Sequence, residues 1–495
     1  MTDGLFTWSK TLRGRFTVAM VATLARTGCL FLTSVLLARL LSPAGFGDFN
    51  FLVTTFAALL TLLDCGTSAA FFTFASRTPP SRMLLRLYGC WLLSQPLFVS
   101  LFVLLVPTST VDRLWLGHDL QLLLLAVWGV FFATPFLQFA LQLGESCRDT
   151  VFAQATNLLT AVLQLCSLAS LGYFELLSLE NVFIVNSTVI FAVASAYLLR
   201  LRPRLPLATE SESPQAIAKK FVDYCLPLIW LSMLGVIFTF FDSWILQLNG
   251  GSEEQGYYAA AFRFSYFPIV VGNSLLQIFW KEMAAAHQGN DYDRMAQLYR
   301  RVTRGSYFFA TLFAALLLPF TETLVTLVFG ESYRGAVIPT MIMFLYPLHN
   351  FLHNFADLIL LATGNSRLKS FVGTSFFALS LILSLTLVAQ FAWFPFSFGL
   401  GATGMALKMV LAQLFAATLM GILASRVLRR KFEWSFQFWY LAILAPVSLG
   451  SSQFIRSVFG SPDQISSLIM QLGLHGLVLA GVATLIWRGE ERLRG

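Results

Sequence analysis

Apolar residues fill this chain in long blocks, separated by short polar stretches, from about residue 16 to about residue 488. Fourteen blocks can be drawn: 16–41, 47–75, 83–106, 119–143, 150–172, 179–200, 221–248, 256–280, 304–329, 335–363, 370–394, 399–425, 435–457 and 465–488. Each has the length of a membrane crossing, since about 20 residues at 1.5 Å rise span the hydrocarbon core. The pattern predicts an all-α polytopic membrane protein with about 14 transmembrane helices. The run after Arg15 continues too far for a cleavable signal and ends at Leu-Ser-Pro, so it is read as the first spanning helix.

The charges supply the orientation. Of 33 Lys and Arg, three lie deep within blocks (Arg26, Arg263, Lys408) and four fall in or at the edge of one set of alternate connections (Arg39, Arg113, Arg334, Arg456). The remaining 26 fall on the other side, among them Arg200, Arg202, Arg204, Lys219 and Lys220 in one connection and Arg426, Arg429, Arg430 and Lys431 in another. By the positive-inside rule that side is the cytoplasm, which places both termini there. Composition agrees, with 57% hydrophobic and 12% charged residues. The net charge of +8 then reflects loops facing anionic headgroups and calls for no nucleic acid. The six cysteines show no metal-ligand spacing and read as free packing thiols.

No outer connection exceeds about a dozen residues, so no folded domain and no loop-borne catalytic motif is expected there. No enzymatic activity and no cofactor is predicted. The two longest connections are cytoplasmic. Residues 201–220 have the Pro, Ser and Glu content of a linker, and 281–303 read as a short amphipathic surface helix with Met295, Leu298 and Val302 on one side. The linker divides the chain into an N-terminal lobe (1–200, spans one to six), a C-terminal lobe (221–425, spans seven to twelve) and two additional helices (426–495). The lobes show a short internal likeness. LARLLSPAGFGDFNF joins spans one and two, LQLNGGSEEQGYYAAAF joins spans seven and eight, and Gly47 with Phe49 corresponds to Gly256 with Tyr258. Both repeats start in the cytoplasm, so they run parallel, an arrangement that places a substrate site between two bundles.

Ionisable groups inside a membrane are costly and mark function or mutual pairing. Six stand out: Arg26, Asp64, Asp242, Arg263, Asp357 and Lys408. Helical rise puts Arg26 about 15 Å and Asp64 about 18 Å from the cytoplasmic ends of their spans, at depths suited to pairing, and Asp242 and Arg263 also share a depth. Structural ion pairs and cavity lining are both open for these four. Span ten carries the densest polar stripe, HNFLHNFAD: His349, His353 and Asp357 at i, i+4 and i+8, with Asn350 and Asn354 beside them, on one broad helix face. A hydrated cavity lining suits it better than a metal site, because no general base or further ligand cluster accompanies it. His and Asp at this depth are also the residue types that carry coupling protons.

SVLLARLLSPAGFGDFNFLVTTFAALLTLLDCGTSAA, FDSWILQLNGGSEEQGYYAAAFRFSYFPIV, the connection HQGNDYDRMAQLYRRVTR leading to LVFGESYRGAVIP, and LLATGNSRLKSFVG followed by GLGATGMALKMV, in this order, resemble bacterial polysaccharide flippases of the multidrug/oligosaccharidyl-lipid/polysaccharide exporter superfamily. The resemblance implies two six-helix lobes in a V around a central cavity, opened alternately to each side of the bacterial inner membrane. It implies a substrate of undecaprenyl-pyrophosphate-linked oligosaccharide, moved from inner to outer leaflet for O-antigen or exopolysaccharide synthesis, and a polysaccharide polymerase as a partner. It also implies cationic groups for the pyrophosphate, for which Arg26, Arg263 and Lys408 are the candidates by position. Three acidic residues balance these three, a departure from the positive excess that a strongly anionic carrier suggests. Two alternatives stay open: a drug or organic-cation antiporter coupled to Na⁺ or H⁺ through residues such as Asp64 or Asp242, and a non-transporting membrane partner of polysaccharide assembly.

A reporter active only outside the cytoplasm should be active when fused between spans five and six, at residues 173–178, and silent when fused at 201–205. The opposite result would invert the orientation.

Overall fold

The computed structural model describes residues 12–205, 207–208, 213–226, 229–391, 395–462 and 464–492. Among them every regular element is helical. That is the physical consequence of the apolar blocks, because hydrocarbon offers no partner to a backbone N–H or C=O and a helix satisfies both within the segment. In chain order the helices are α1 (Leu12–Asp64), α2 (Thr67–Arg77), α3 (Arg82–Leu105), α4 (Thr108–Trp115), α5 (Leu120–Ser146), α6 (Thr150–Tyr173), α7 (Leu179–Leu201), α8 (Pro214–Cys225), α9 (Ile229–Gln288) and α10 (Tyr292–Leu317). There follow α11 (Thr321–Phe329), α12 (Val337–Met343), α13 (Tyr346–Ala362), α14 (Ser366–Leu383), α15 (Gly401–Val427), α16 (Ser435–Phe459) and α17 (Ile465–Arg492).

Among the described residues, ten helices are long and apolar enough to cross a membrane, or eleven if the bent pair Glu331–Met343 and Tyr346–Ala362 is one span. Two long helices each run through two of the apolar blocks: α1 covers the first and most of the second, and α9 most of the seventh and eighth, each interrupted by one non-helical residue, Ser42 (φ 64°, ψ 168°) and Gly251 (φ 74°, ψ −177°). The register that aligns Gly47 with Gly256 also aligns Ser42 with Gly251, so the repeat seen in the sequence has the same backbone break at the same place. Gly251 adopts this left-handed φ freely. At Ser42 the following Pro43 disfavours the helical region, which accounts for the extended ψ but not for the positive φ.

Both long connections differ from expectation. The second half of the 201–220 linker is helical, because Ser213 Oγ accepts from the Ala216 N–H at 3.2 Å and Pro214 opens α8 with its φ preset. The 281–303 stretch is no separate surface helix. Helix α9 runs on to Gln288, a turn follows, and α10 continues from Tyr292 into the next span, with Met295 fully buried.

The described residues fall into two compact units that meet between Ser252 and Glu253. In the first, α1 lies along α6, and Phe51, Phe56, Trp115 and Phe131 form a buried aromatic core, with the Phe56 and Trp115 rings stacked at 5.3 Å. Asp48, just past the Ser42 break, ties this unit together. Its Oδ1 accepts from Gln247 Nε2 at 2.8 Å and Ser252 Oγ at 2.5 Å, both flanking the Gly251 break, and lies 3.6 Å from His118 Nε2 in the α4–α5 connection.

In the second unit α15 is the central helix, lying along α13 and packing α12 and α14. Its buried positions are largely Gly and Ala (Gly404, Ala406, Ala412, Ala416, Ala417, Gly421, Ala424), which lets backbones approach closely where packing replaces hydrophobic drive. A Cβ on Gly404 would stand 2.4 Å from the Leu387 carbonyl oxygen. The last two helices fasten to α10 by buried polar contacts. Ser448 Oγ donates to the Ala315 carbonyl at 2.6 Å, and His475 bridges Ser451 Oγ (2.9 Å) and the same carbonyl (3.2 Å).

Gly404→Ala should cost about 1–3 kcal/mol, because the obstacle is backbone. Gly373→Ala, where a Cβ meets nothing within 4 Å, should be neutral to slightly stabilising; thermal unfolding in detergent distinguishes the two. Burial pushes the His118 imidazole below its ordinary range, against the opposing pull of Asp48. The unfolded chain therefore takes up the proton first, so the stability tied to His118 is complete above about pH 6.5 and is lost as pH falls below it. His118→Gln should flatten the dependence of the melting temperature on pH between about 7.5 and 5, and an unaltered slope would contradict this.

Candidate functional site

The polar stripe lies on α13, and the structure explains how a membrane helix tolerates it. Positions alternate in pairs: Phe351 and Leu352, Phe355 and Ala356, and Ile359 and Leu360 are buried, while His349 and Asn350, then His353 and Asn354, then Asp357 are half-buried. Apolar pairs at this period face the packed side, so the polar pairs are left on the other. Helix α15 supplies much of the backing. The Phe355 ring meets Phe279 of α9 edge-on at 5.2 Å, and Ser265 Oγ of α9 donates to the Met343 carbonyl of α12 at 2.8 Å.

Along the polar face the groups form a short relay. Asn354 Nδ2 donates to Asn350 Oδ1 at 2.9 Å, and Asn350 Nδ2 to the Tyr346 hydroxyl at 3.5 Å. The His353 ring lies near the backbone of Ala416 on α15. The Nδ1 atoms of His349 and His353 and Oδ1 of Asp357 are buried without a hydrogen-bond partner. Buried polar atoms left open in this way are where water or a ligand polar group is accommodated. Two imidazoles and two carboxamides offer both hydrogen-bond donors and acceptors, which is the chemistry of hydroxyl recognition.

The other sequence-selected residues are distributed over both units. Lys408 is fully buried on α15, beside Ala406 and Met409 of the cluster that also holds Ala261, Met343, Phe262 and Tyr346. Arg263 follows Phe262 on α9, so Arg263, Lys408 and the stripe belong to one helix group of the second unit. Arg26 is half-buried on α1 and Asp242 buried on the first part of α9, both in the first unit. Asp64 closes α1 and is engaged locally: its Oδ1 accepts from Thr67 Oγ1 (2.6 Å) and the Ser68 N–H (3.1 Å), and its Oδ2 from Ser68 Oγ (2.8 Å). Asp357 pairs with Lys369 Nζ at 2.9 Å, a lysine that the charge pattern assigned to a connection. Among the described residues no group of three or more His, Cys, Asp and Glu gathers to hold a metal ion.

The sequence reading did not single out the Asp48, His118, Gln247 and Ser252 cluster. Asp48 stood inside the very segment that revealed the repeat, and an acidic residue two positions from an aromatic at a predicted break was the available signal.

No curated protein matches the chain significantly in sequence. Solved structures match its fold closely at low identity. A lipid II flippase, MurJ, in an inward closed conformation, has a TM-score of 0.69 at 12% identity, over 96% of this chain and 99% of that one. A multidrug resistance MATE family transporter of the MOP superfamily, facing inward, gives 0.65 at 14% identity, over 84% of this chain and 98% of that one. A MOP superfamily transporter from Pyrococcus furiosus gives 0.55 at 13% identity, over 86% and 98%. These likenesses establish the fold. Residues 13–279, just over half of the chain, match the family model described as polysaccharide biosynthesis protein, and with that match the chain belongs to this family of multi-pass membrane proteins.

Proposed function

We propose that the chain flips undecaprenyl-pyrophosphate-linked oligosaccharide repeat units from the inner to the outer leaflet of the bacterial inner membrane, for cell-surface polysaccharide synthesis. In this reading it crosses the membrane fourteen times with both termini cytoplasmic. Two six-helix lobes, 1–200 and 221–425, open alternately to each side, joined by the 201–220 linker and followed by two further helices in 426–495. The observation that carries the reading is the α13 face, where two histidines present buried, unpartnered Nδ1 atoms beside a ladder of two asparagines. A glycan is a dense array of hydroxyls, and such a donor–acceptor face can hydrate and follow it without holding it tightly. Arg26, Arg263 and Lys408 are the proposed partners of the pyrophosphate, to which guanidinium and ammonium groups form charge-assisted hydrogen bonds. The family match and the fold shared with a lipid II flippase support a lipid-linked substrate. H⁺ or Na⁺ is the proposed coupling ion, and a polysaccharide polymerase the proposed partner.

Antiport of drugs or organic cations is the second reading, favoured by the shared fold with MATE transporters and by the carboxylates Asp64, Asp242 and Asp357. Two of these are engaged by near neighbours, Asp64 by Thr67 and Ser68 and Asp357 by Lys369, which supports the flippase over the antiporter.

In reconstituted vesicles the wild-type protein should move lipid-linked oligosaccharide between leaflets. Arg263→Ala and Arg26→Ala should each lower the rate about 10-fold or more, the effect of one lost charge-assisted contact, with His353→Ala falling less. Full transport by all three variants at equal incorporation would remove these residues from the path. Cation-coupled efflux of drugs without lipid movement would establish the antiporter.

A further inference from the structure

A cavity of about 420 Å³ opens in the second unit between the first turns of α10, the C-terminal end of α15, the connection after it and the start of α16. Its lining is more polar than that of two other cavities. The one beside α8 is walled mainly by Leu63, Leu87, Tyr88, Trp91, Phe221 and Val222, and the one between α9 and α10 is mainly apolar, with Glu282 and Arg301 at its wall. Here, by contrast, the buried polar side chains of Thr303, Ser425 and Gln437 form part of the wall.

Another part of the wall is charged, and basic residues outnumber acidic ones. Arg300, Arg304, Arg430 and Lys431 face Glu433 and Asp293, a surplus of two positive charges. Glu433 holds two guanidiniums at once: Arg300 Nε lies 3.1 Å from Oε1, and Arg304 donates to Oε2 from Nη2 (2.8 Å) and Nε (3.2 Å). Arg430 pairs with Asp293. Guanidiniums fixed in this way by a carboxylate keep donors in reach of a second planar or tetrahedral oxyanion, the geometry in which arginine binds phosphate.

The residues beside the cavity point to a lipid as the source of such a phosphate. Trp434, Phe438 and Trp439, at the start of α16 beside the mouth, are exposed, and tryptophans on the outer surface of a membrane protein sit at headgroup level. Leu352, Leu428, Phe432 and Phe436 make the remaining wall apolar, as a glycerol backbone and the first methylenes of an acyl chain require. We propose that the cavity between α10, α15 and α16 binds the phosphate headgroup of an anionic phospholipid at the membrane surface. The site takes a resident lipid, distinct from any transported substrate, and the assignment holds whichever solute the chain carries.

The test is native mass spectrometry of the full-length protein in detergent. It is titrated with phosphatidylglycerol, with phosphatidylethanolamine and with inorganic phosphate, and thermal unfolding is recorded in parallel. Phosphatidylglycerol should remain bound and raise the melting temperature where phosphatidylethanolamine does not. Arg430→Gln and Lys431→Gln, both at exposed positions, should each weaken retention about fivefold, and their combination more. Arg334→Gln, an exposed arginine on another part of the unit, serves as the charge control and should change nothing. Equal retention of the two lipids, or an effect of Arg334→Gln as large as those of the cavity variants, would overturn the proposal. Stabilisation by inorganic phosphate matching that by phosphatidylglycerol would overturn the lipid assignment.

Discussion

A membrane supplies no hydrogen bonds to an opened backbone, and the rest of this structure follows from where that rule is broken and how the break is compensated. Helices α1 and α9 each run past one membrane thickness and each breaks once, at Ser42 and Gly251, in the same left-handed conformation. One carboxylate serves both regions. Asp48 follows the first break and accepts hydrogen bonds from Gln247 and Ser252 on either side of the second, with His118 alongside. A break alone would leave a hinge with several orientations. Tied through a half-buried acceptor with two donors, it keeps its angle, and the helices on either side can pack to the density that the Phe56 and Trp115 core shows.

Polarity deeper in the chain obeys the same logic. On α13 the polar residues occupy one side of a helix whose other side is packed against small-residue α15, so their cost is confined to one face. Asn354 and Asn350 satisfy each other along the helix, Lys369 satisfies Asp357, and the histidine Nδ1 atoms are left open. A purely structural stripe would close all of its bonds, since an unmet buried group costs about 1–3 kcal/mol. The open atoms are where the proposed passage of hydroxyl-rich cargo would find its hydrogen-bond partners.

Most of the helical frame was legible in the sequence, because a spanning helix needs a long apolar run and each such run overlaps a helix found in the structure. The last two, 435–457 and 465–488, match α16 and α17 within a few residues at nearly every end. The repeat was read from Gly47 with Phe49 and Gly256 with Tyr258, and the structure adds a backbone break five residues before each glycine, at Ser42 and Gly251. Connections were less legible: α8 and the start of α10 are held by a serine cap and by contacts to other helices, and composition alone made them a linker and a surface helix. The candidate site was legible as residue types at depth. Its partners were not, for Asp64 is satisfied by Thr67 and Ser68 only a turn away, and Lys369 reaches back to Asp357 from beyond a turn. Contacts such as Asp48 to Gln247, or Arg304 to Glu433, join positions far apart in the chain, which no local pattern reveals.

The central claim is that this fold moves a lipid-linked glycan across the bilayer. It is tested most directly by depleting the protein in its own cells and measuring which leaflet holds the lipid-linked repeat unit, together with the amount of surface polysaccharide. The account predicts accumulation of the intermediate on the cytoplasmic leaflet with loss of surface polysaccharide, both restored by the wild-type chain. An intermediate that still reaches the outer leaflet, with surface polysaccharide intact, would contradict it.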